Sequence, residues 1–365
     1  MKIVIFGLSI SSSWGNGHAT LWRGLCRGLG DRGHRVVFFE RDVPYYSSTR
    51  DAAEFSGCDL RLYENWKVVL GEARRELSDA DVGMVTSYCP DGVAACDLVL
   101  SSNARVRAFY DLDTPVTLAR LEEGTTVEYL PPGGLAAFDI VLSYTGGGAL
   151  QSLRDRLGAR RVAPLYGSVD PEVHRPIEAG ERFASDLSYL GTYAEDRQSA
   201  LERLFIEPAR SRPDLRFVIG GAQYPQQFPW TSNIFFVRHL PPSMHPEFYC
   251  SSGLTLNVTR HAMASMGYCP SGRLFEAAAC GVPIISDVWE GLDEFYRPGS
   301  EIMLCKTADD VLNALSAGRD SLRRMAQAAR ERTMAEHTAG HRAAQMELLL
   351  ESAARTGREE QLCGA

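Results

Sequence analysis

The feature that most constrains this chain is a regular exchange of two hydrophobic periods. Apolar runs of strand length alternate with amphipathic stretches of helical length. Residues 3–8 lead to a helix over about 19–32, and residues 36–40 read as a second strand. Residues 82–86, 98–101, 106–110 and 140–143 read as further strands, with a polar loop and a helix over 111–130. Short apolar runs separated by helices describe βαβ units, and hence a parallel sheet covered on both faces.

A second alternating set follows a stretch rich in turn formers. Residues 165–181, with Asp170-Pro171 and Arg175-Pro176, read as the linker. Strands are expected at 187–190, 216–219, 234–237, 254–258 and 283–286, with helices at 196–210 and 272–280 and a helical C-terminus from 309 to about 354. The expected organisation is α/β: two Rossmann-like parallel-sheet domains, 1–168 and 169–335, facing across a cleft, then a C-terminal helix and frayed tail over 336–365. Open α/β sheets bind ligands at the carboxyl ends of their strands. That arrangement favours an enzyme whose substrates meet at a domain interface.

Composition narrows the functions open to such a fold. A net charge of −8 argues against coating nucleic acid, which demands clustered positive charge. No stretch reaches the roughly 18–20 apolar residues of a membrane span. The first residues read as a strand, not as a targeting segment. Nine cysteines without a CxxC pair fit neither a disulfide framework nor a zinc site, and they suit a reducing, cytoplasmic setting. Of 38 basic residues only Lys2, Lys67 and Lys306 are lysine, so phosphate is expected to meet arginine's planar fork.

Several loops carry candidate chemistry. Gly15-Asn16-Gly17-His18 opens the first helix, where glycines let backbone N–H groups approach a ligand. With Glu40 at the end of the second strand it imitates a dinucleotide fingerprint, but Trp14 intrudes and Thr20 replaces the third glycine. His18 is either a packed polar residue or a general base for an acceptor hydroxyl. Gly17, Glu40, Asp42 and Tyr45 are acceptor-rim candidates, equally readable as a solvated loop. Asp111 and Asp113 either bind hydroxyls or cap the next helix, and Asp113 is the second candidate base. In the second half, Ser271 and Gly272 open a helix on which Arg273 and Glu276 share one face. A positive helix end, an arginine and a carboxylate suit a nucleoside diphosphate, with Glu276 accepting from ribose hydroxyls. A plain intrahelical salt bridge is the alternative.

Together these segments resemble the two-domain (GT-B fold) glycosyltransferases, and among them the bacterial spore-maturation-protein type. The resemblance is carried by Gly15–Thr20, Tyr110–Thr117, Leu142–Gly147, Leu190–Tyr193 with Asp196-Arg197, Leu256–His261, Ser271–Glu276 and Ser286–Asp293. It implies a donor site formed by Gly191, Thr192, Arg197, Asn257, Arg260, His261, Ser271, Gly272, Arg273 and Glu276. The family's retaining members carry a second glutamate eight positions before Glu276, where this chain has Tyr268. A family Arg–Lys pair corresponds here to Thr192 and Arg197, leaving Arg260 or Arg273 to supply the second charge. The implied activity is transfer of a sugar from a nucleotide-diphosphate sugar, as co-substrate and without cofactor or metal, to a small-molecule, glycan or peptide acceptor. Helix-end amides and arginines would stabilise the leaving group. Retention is favoured, and His18 or Asp113 would serve as base were the course inverting. An epimerase of the same fold and a non-catalytic nucleotide-sugar-binding protein are the alternatives.

Overall fold

The computed structural model describes the backbone of residues 1–363 and the side chains of residues 1–356. Gly364 and Ala365, the end of the expected frayed tail, lie outside the described residues. The chain forms two compact units: Met1–Tyr166 together with Ala339–Ala365, and Gly167–Thr338.

The first unit is built on a seven-stranded, all-parallel sheet. Its strands are β1 (Lys2–Gly7), β2 (Arg35–Arg41), β3 (Cys58–Tyr63), β4 (Val82–Thr86), β5 (Val106–Asp111), β6 (Ile140–Ser143) and β7 (Val162–Pro164), in the order β3-β2-β1-β4-β5-β6-β7. Side chains alternate across β1. Val4 and Phe6 enter one core and Ile3 and Ile5 the other, so the strand is apolar throughout. The helix Gly17–Asp31 follows β1. Asn16 caps it by accepting from the His18 N–H, and Leu21, Trp22, Leu25, Cys26 and Leu29 form its buried stripe.

Three expectations change here. Residues 98–101 are not a strand: they end the helix Gly92–Leu100, which is apolar enough on most sides to imitate one. The edge strands β3, half-exposed, and β7 were not expected. The C-terminal segment is not an appendage. It forms the helices Ala308–Leu315, Arg319–Glu336 and Ala339–Cys363, and the last of these packs on Gly17–Asp31 as part of the first unit. Its helical backbone is described as far as Cys363.

The second unit carries a six-stranded parallel sheet. Its strands are β8 (Ser185–Leu190), β9 (Phe217–Gly221), β10 (Ile234–Arg238), β11 (Ser252–Asn257), β12 (Ile284–Ser286) and β13 (Met303–Leu304), in the order β10-β9-β8-β11-β12-β13. The direction of winding reverses between β1 and β4 in one sheet and between β8 and β11 in the other. Loops at the carboxyl ends of those strands diverge there and leave a crevice for a ligand. A bridge between Val169 and Thr338 joins the second unit's first and last segments. No helix among the described residues is long and apolar enough to cross a membrane.

Candidate active site

In the second unit the donor-side candidates gather at this switch point. β8 ends in Leu190-Gly191-Thr192 and β11 in Asn257, while the helix Gly272–Cys280 begins beside them. Arg273 donates through Nε to the Leu190 carbonyl and through Nη1 to Asn257 Oδ1 at 2.8 Å, and its guanidinium lies 5.0 Å from the Tyr189 ring centroid. Gly191 makes room for it: a Cβ there would fall 2.7 Å from Arg273 Nη2 and 2.8 Å from the Tyr189 hydroxyl. Arg197 donates through Nη1 to the Thr192 carbonyl at 2.9 Å and to the Tyr189 hydroxyl at 3.3 Å, while its buried Nε has no partner. Two arginines therefore share one tyrosine. Arg260 stands differently, paired through Nε with Asp196 at 3.1 Å.

Ser271 occupies the N-cap position of the helix Gly272–Cys280 in extended conformation, yet its side chain makes no capping bond. The amides of the first turn are thereby left without a side-chain partner, an arrangement suited to an anion. Asn257 is buried; its Oδ1 accepts from Arg273 and its Nδ2 donates to Ser286 Oγ at 2.9 Å. His261 is exposed at the start of the short helix His261–Met266. Tyr268, where the resemblance expects an acid, has a left-handed backbone (φ 47°) and donates its N–H to the Glu290 carbonyl at 2.7 Å.

Glu276 does not pair with Arg273 along the helix. Its Oε2 faces His245 Nδ1 at 3.5 Å and His174 Nε2 at 3.9 Å. Burial works against the charged carboxylate but is outweighed by His174, His245 and Arg273, which hold it at about 2. Burial pushes His174 down to about 4, so its imidazole is neutral at neutral pH. Sequence reading expected no metal ligands, whereas the fold assembles these three metal-type donors from distant segments. Tyr189, His174 and His245 were missed, as was the pairing of Thr259 with Asp287 through the Thr259 N–H at 2.9 Å, although both residues lie in stretches singled out from sequence. None belongs to a short-range pattern.

In the first unit His18 and Asp113 meet. His18 Nε2 lies 2.7 Å from Asp113 Oδ2; a carboxylate only accepts, so Nε2 carries the proton. His18 Nδ1 has no hydrogen-bond partner. Asp113 sits at the N-cap of the helix Thr114–Glu122 without capping it by side chain, which frees the carboxylate for the histidine. Tyr88, with φ 60°, packs edge-on to the His18 ring at 6.2 Å.

The other candidates of this unit separate. Glu40 is not a rim residue: fully buried, it accepts from the Ile10 and Ser11 N–H groups at 2.7 and 3.0 Å and from the Ser9 and Ser11 hydroxyls at 3.0 and 2.6 Å. A carboxylate so saturated has no capacity left for an acceptor. Asp42 pairs with Arg50 at 2.9 Å, and Tyr45 is exposed against Tyr46. A Cβ on Gly17 would meet nothing within 4 Å. Asp111 is wholly buried; its Oδ1 accepts from the Asp113 N–H at 3.0 Å and its Oδ2 has no partner. Burial, reinforced by the Asp113 charge, pushes Asp111 up to about 7.

A family model described as glycosyl transferase-like matches residues 197–347. Among solved structures, sucrose-phosphate synthase from Thermosynechococcus elongatus is similar at 15% identity and a TM-score of 0.69, covering 96% of this chain and 98% of its own. Anabaena HepE, solved in complex with UDP and glucose, is similar at 11% identity and a TM-score of 0.69, covering 96% and 100%. An alpha-glucosyltransferase solved with UDP and a 13-mer DNA containing an HMU base is similar at 13% identity and a TM-score of 0.69, covering 96% and 99%. No curated protein matches the sequence significantly.

Proposed function

We propose that this chain, which has the GT-B glycosyltransferase fold and whose residues 197–347 are glycosyl transferase-like, transfers a sugar from a nucleotide-diphosphate sugar to a hydroxyl-bearing acceptor. The observation that carries the reading is the arginine pair of the second unit. Arg197 and Arg273 converge on Tyr189 at the carboxyl end of β8, next to a helix whose first-turn amides no side chain caps.

Breaking a glycosyl–phosphate bond leaves negative charge on the departing diphosphate. Fixed donors placed in advance stabilise that charge without reorganising. Arg273 suits this role because its Nε and Nη1 are held by Leu190 and Asn257. The three named structures are of proteins described as a sugar-phosphate synthase or as bound to UDP, which agrees with a nucleoside-diphosphate donor. Glu276 Oε1 would accept from the ribose hydroxyls, its Oε2 being turned toward the histidines. In this reading the arginines and helix amides, not a divalent cation, neutralise the leaving group.

For the stereochemical course we infer a role for the first unit. Retention, expected from sequence, requires no protein base. The His18–Asp113 pair is the candidate base for an inverting course: Asp113 orients the imidazole through Nε2, while Nδ1 is buried and without a partner.

A thermal-shift panel of UDP, GDP, TDP and CMP, each with its sugars, tests donor binding. One diphosphate nucleotide is expected to stabilise the protein, and Arg273→Ala to weaken that effect by about 10–100-fold in affinity. Absence of stabilisation by every nucleotide would refute the reading. Incubation with donor alone separates transfer from epimerisation, and the anomeric configuration of the product decides the course. His18→Ala is expected to lower kcat by roughly 10²–10⁴-fold with donor affinity unchanged.

A further inference from the structure

The triad His174, His245 and Glu276 lies beside the donor loops, but the proposed transfer uses only one oxygen of it. Its members come from three separate places. His174 follows the turn at Asp170, His245 begins the helix His245–Cys250, and Glu276 lies one turn into the helix Gly272–Cys280. The histidines are buried, and the Glu276 side chain is 12% exposed.

Protons decide what such a cluster does. His245 Nε2 lies 3.2 Å from the Leu240 carbonyl, which only accepts, so Nε2 carries a hydrogen and, in the neutral ring, Nδ1 presents a lone pair. That lone pair faces His174 Nε2 at 3.3 Å and Glu276 Oε2 at 3.5 Å. A lone pair directed at a carboxylate oxygen repels it unless a positive charge, either a second proton on the ring or a bound cation, lies between them. A hydrogen on His174 Nε2 could satisfy His245 but would leave the Glu276 contact uncompensated, and buried His174 Nδ1 has no partner as it stands.

The geometry points to a zinc-class cation held by His174 Nε2, His245 Nδ1 and Glu276 Oε2. With metal–ligand bonds of about 2.0–2.1 Å, the ligand atoms of a tetrahedral site lie about 3.3–3.4 Å apart. The separations here are 3.3, 3.5 and 3.9 Å, so the second must shorten slightly and the third by about half an ångström. Two imidazoles and one carboxylate form the ligand set that zinc accepts while keeping a fourth position for water or substrate. The His245 Nε2–H bond to a backbone carbonyl is also the outer contact that orients a metal-bound histidine. The cation would hold Glu276 Oε2 and leave Oε1 for the nucleoside. That consequence rests on the donor reading; cation binding does not.

The test uses the full-length chain, stripped with a chelator and then titrated with Zn²⁺ by calorimetry and with Co²⁺ by visible absorption. One Zn²⁺ per chain is expected, with a rise in Tm. Bound Co²⁺ should show tetrahedral d–d bands without the near-ultraviolet absorption of thiolate ligands. His174→Ala and His245→Ala should each weaken Zn²⁺ at least 100-fold. Should either variant misfold, the Co²⁺ spectrum of the unmodified chain decides. Failure to bind Zn²⁺, undiminished binding in both variants, or a thiolate-type Co²⁺ spectrum overturns the site. A parallel titration with UDP separates the two proposals: Zn²⁺ binding without nucleotide binding leaves the site standing and removes the donor reading, and the converse removes the site.

Discussion

Gly191 shows how one missing side chain organises the loop after β8. Arg273 Nη2 and the Tyr189 hydroxyl occupy the space a Cβ would need, and both are tethered, one by the bonds of its guanidinium and the other by Arg197. Gly191→Ala is therefore expected to lower nucleotide affinity by roughly tenfold with little change in Tm, because the arginine gives way before the backbone does. Calorimetry beside thermal unfolding checks it. Asp111 is a different case, a buried carboxyl raised to about 7 by desolvation. Between its ordinary value, near 4, and about 7, the folded state holds a proton that the unfolded state has released. The stability this group contributes is thus full below pH 4 and is lost as pH rises toward 7, by a few kcal/mol at most. Asp111→Asn should remove that slope and raise Tm at pH 8 more than at pH 5, as pH-dependent denaturant unfolding would reveal. Equal changes at both pH values would show that Asp111 is not protonated in the fold.

At the scale of elements, the terminal helix shows how packing assigns a segment that periodicity only describes. Ala339, Ala343, Met346, Leu350 and Ala353 are buried along it at spacings of four and three, one continuous stripe. The stripe meets Gly17–Asp31 at Gly28, where a Cβ would lie 2.9 Å from the Ala339 carbonyl oxygen and 3.1 Å from Ala343 Cβ. The contact is backbone against small side chain, so nothing can swing aside. Gly28→Val is expected to cost about 1–3 kcal/mol and to lower the Tm of the first unit, measured by calorimetry. The same scale explains which elements were legible. β1 and β4 are buried along their length, and such strands read as unbroken apolar runs. β3 sits at the sheet edge with five of its six residues at least partly exposed, so it lacks that signal. The segment ending the helix Gly92–Leu100 misleads in the opposite sense, because short apolar runs do not distinguish a buried helix from a strand.

For the molecule as a whole, the chain builds its first unit, completes the second, and returns to the first with its last helix. The first unit is thus discontinuous in sequence. A chain ending at Thr338 would lose the helix that packs on Gly17–Asp31 at Gly28. It should unfold at lower temperature in the first unit's transition, while the second unit keeps its response to nucleotide; two-transition calorimetry with and without UDP tests this. The chemistry divides in the same way. Arg273 and Glu276 were visible in the sequence because both sit in the first turns of one helix, where spacing alone sets a shared face. Tyr189, His174 and His245 were not, since their partners lie on other elements. What the sequence by itself determined was the pair of parallel sheets and the loops at their carboxyl ends, because burial on both faces is written locally in hydrophobic period. Only the tertiary structure decided that Glu40 clamps its own loop, that His18 meets Asp113, and that Glu276 turns to two histidines. Such pairings depend on distances between packed elements, and no local spacing encodes them.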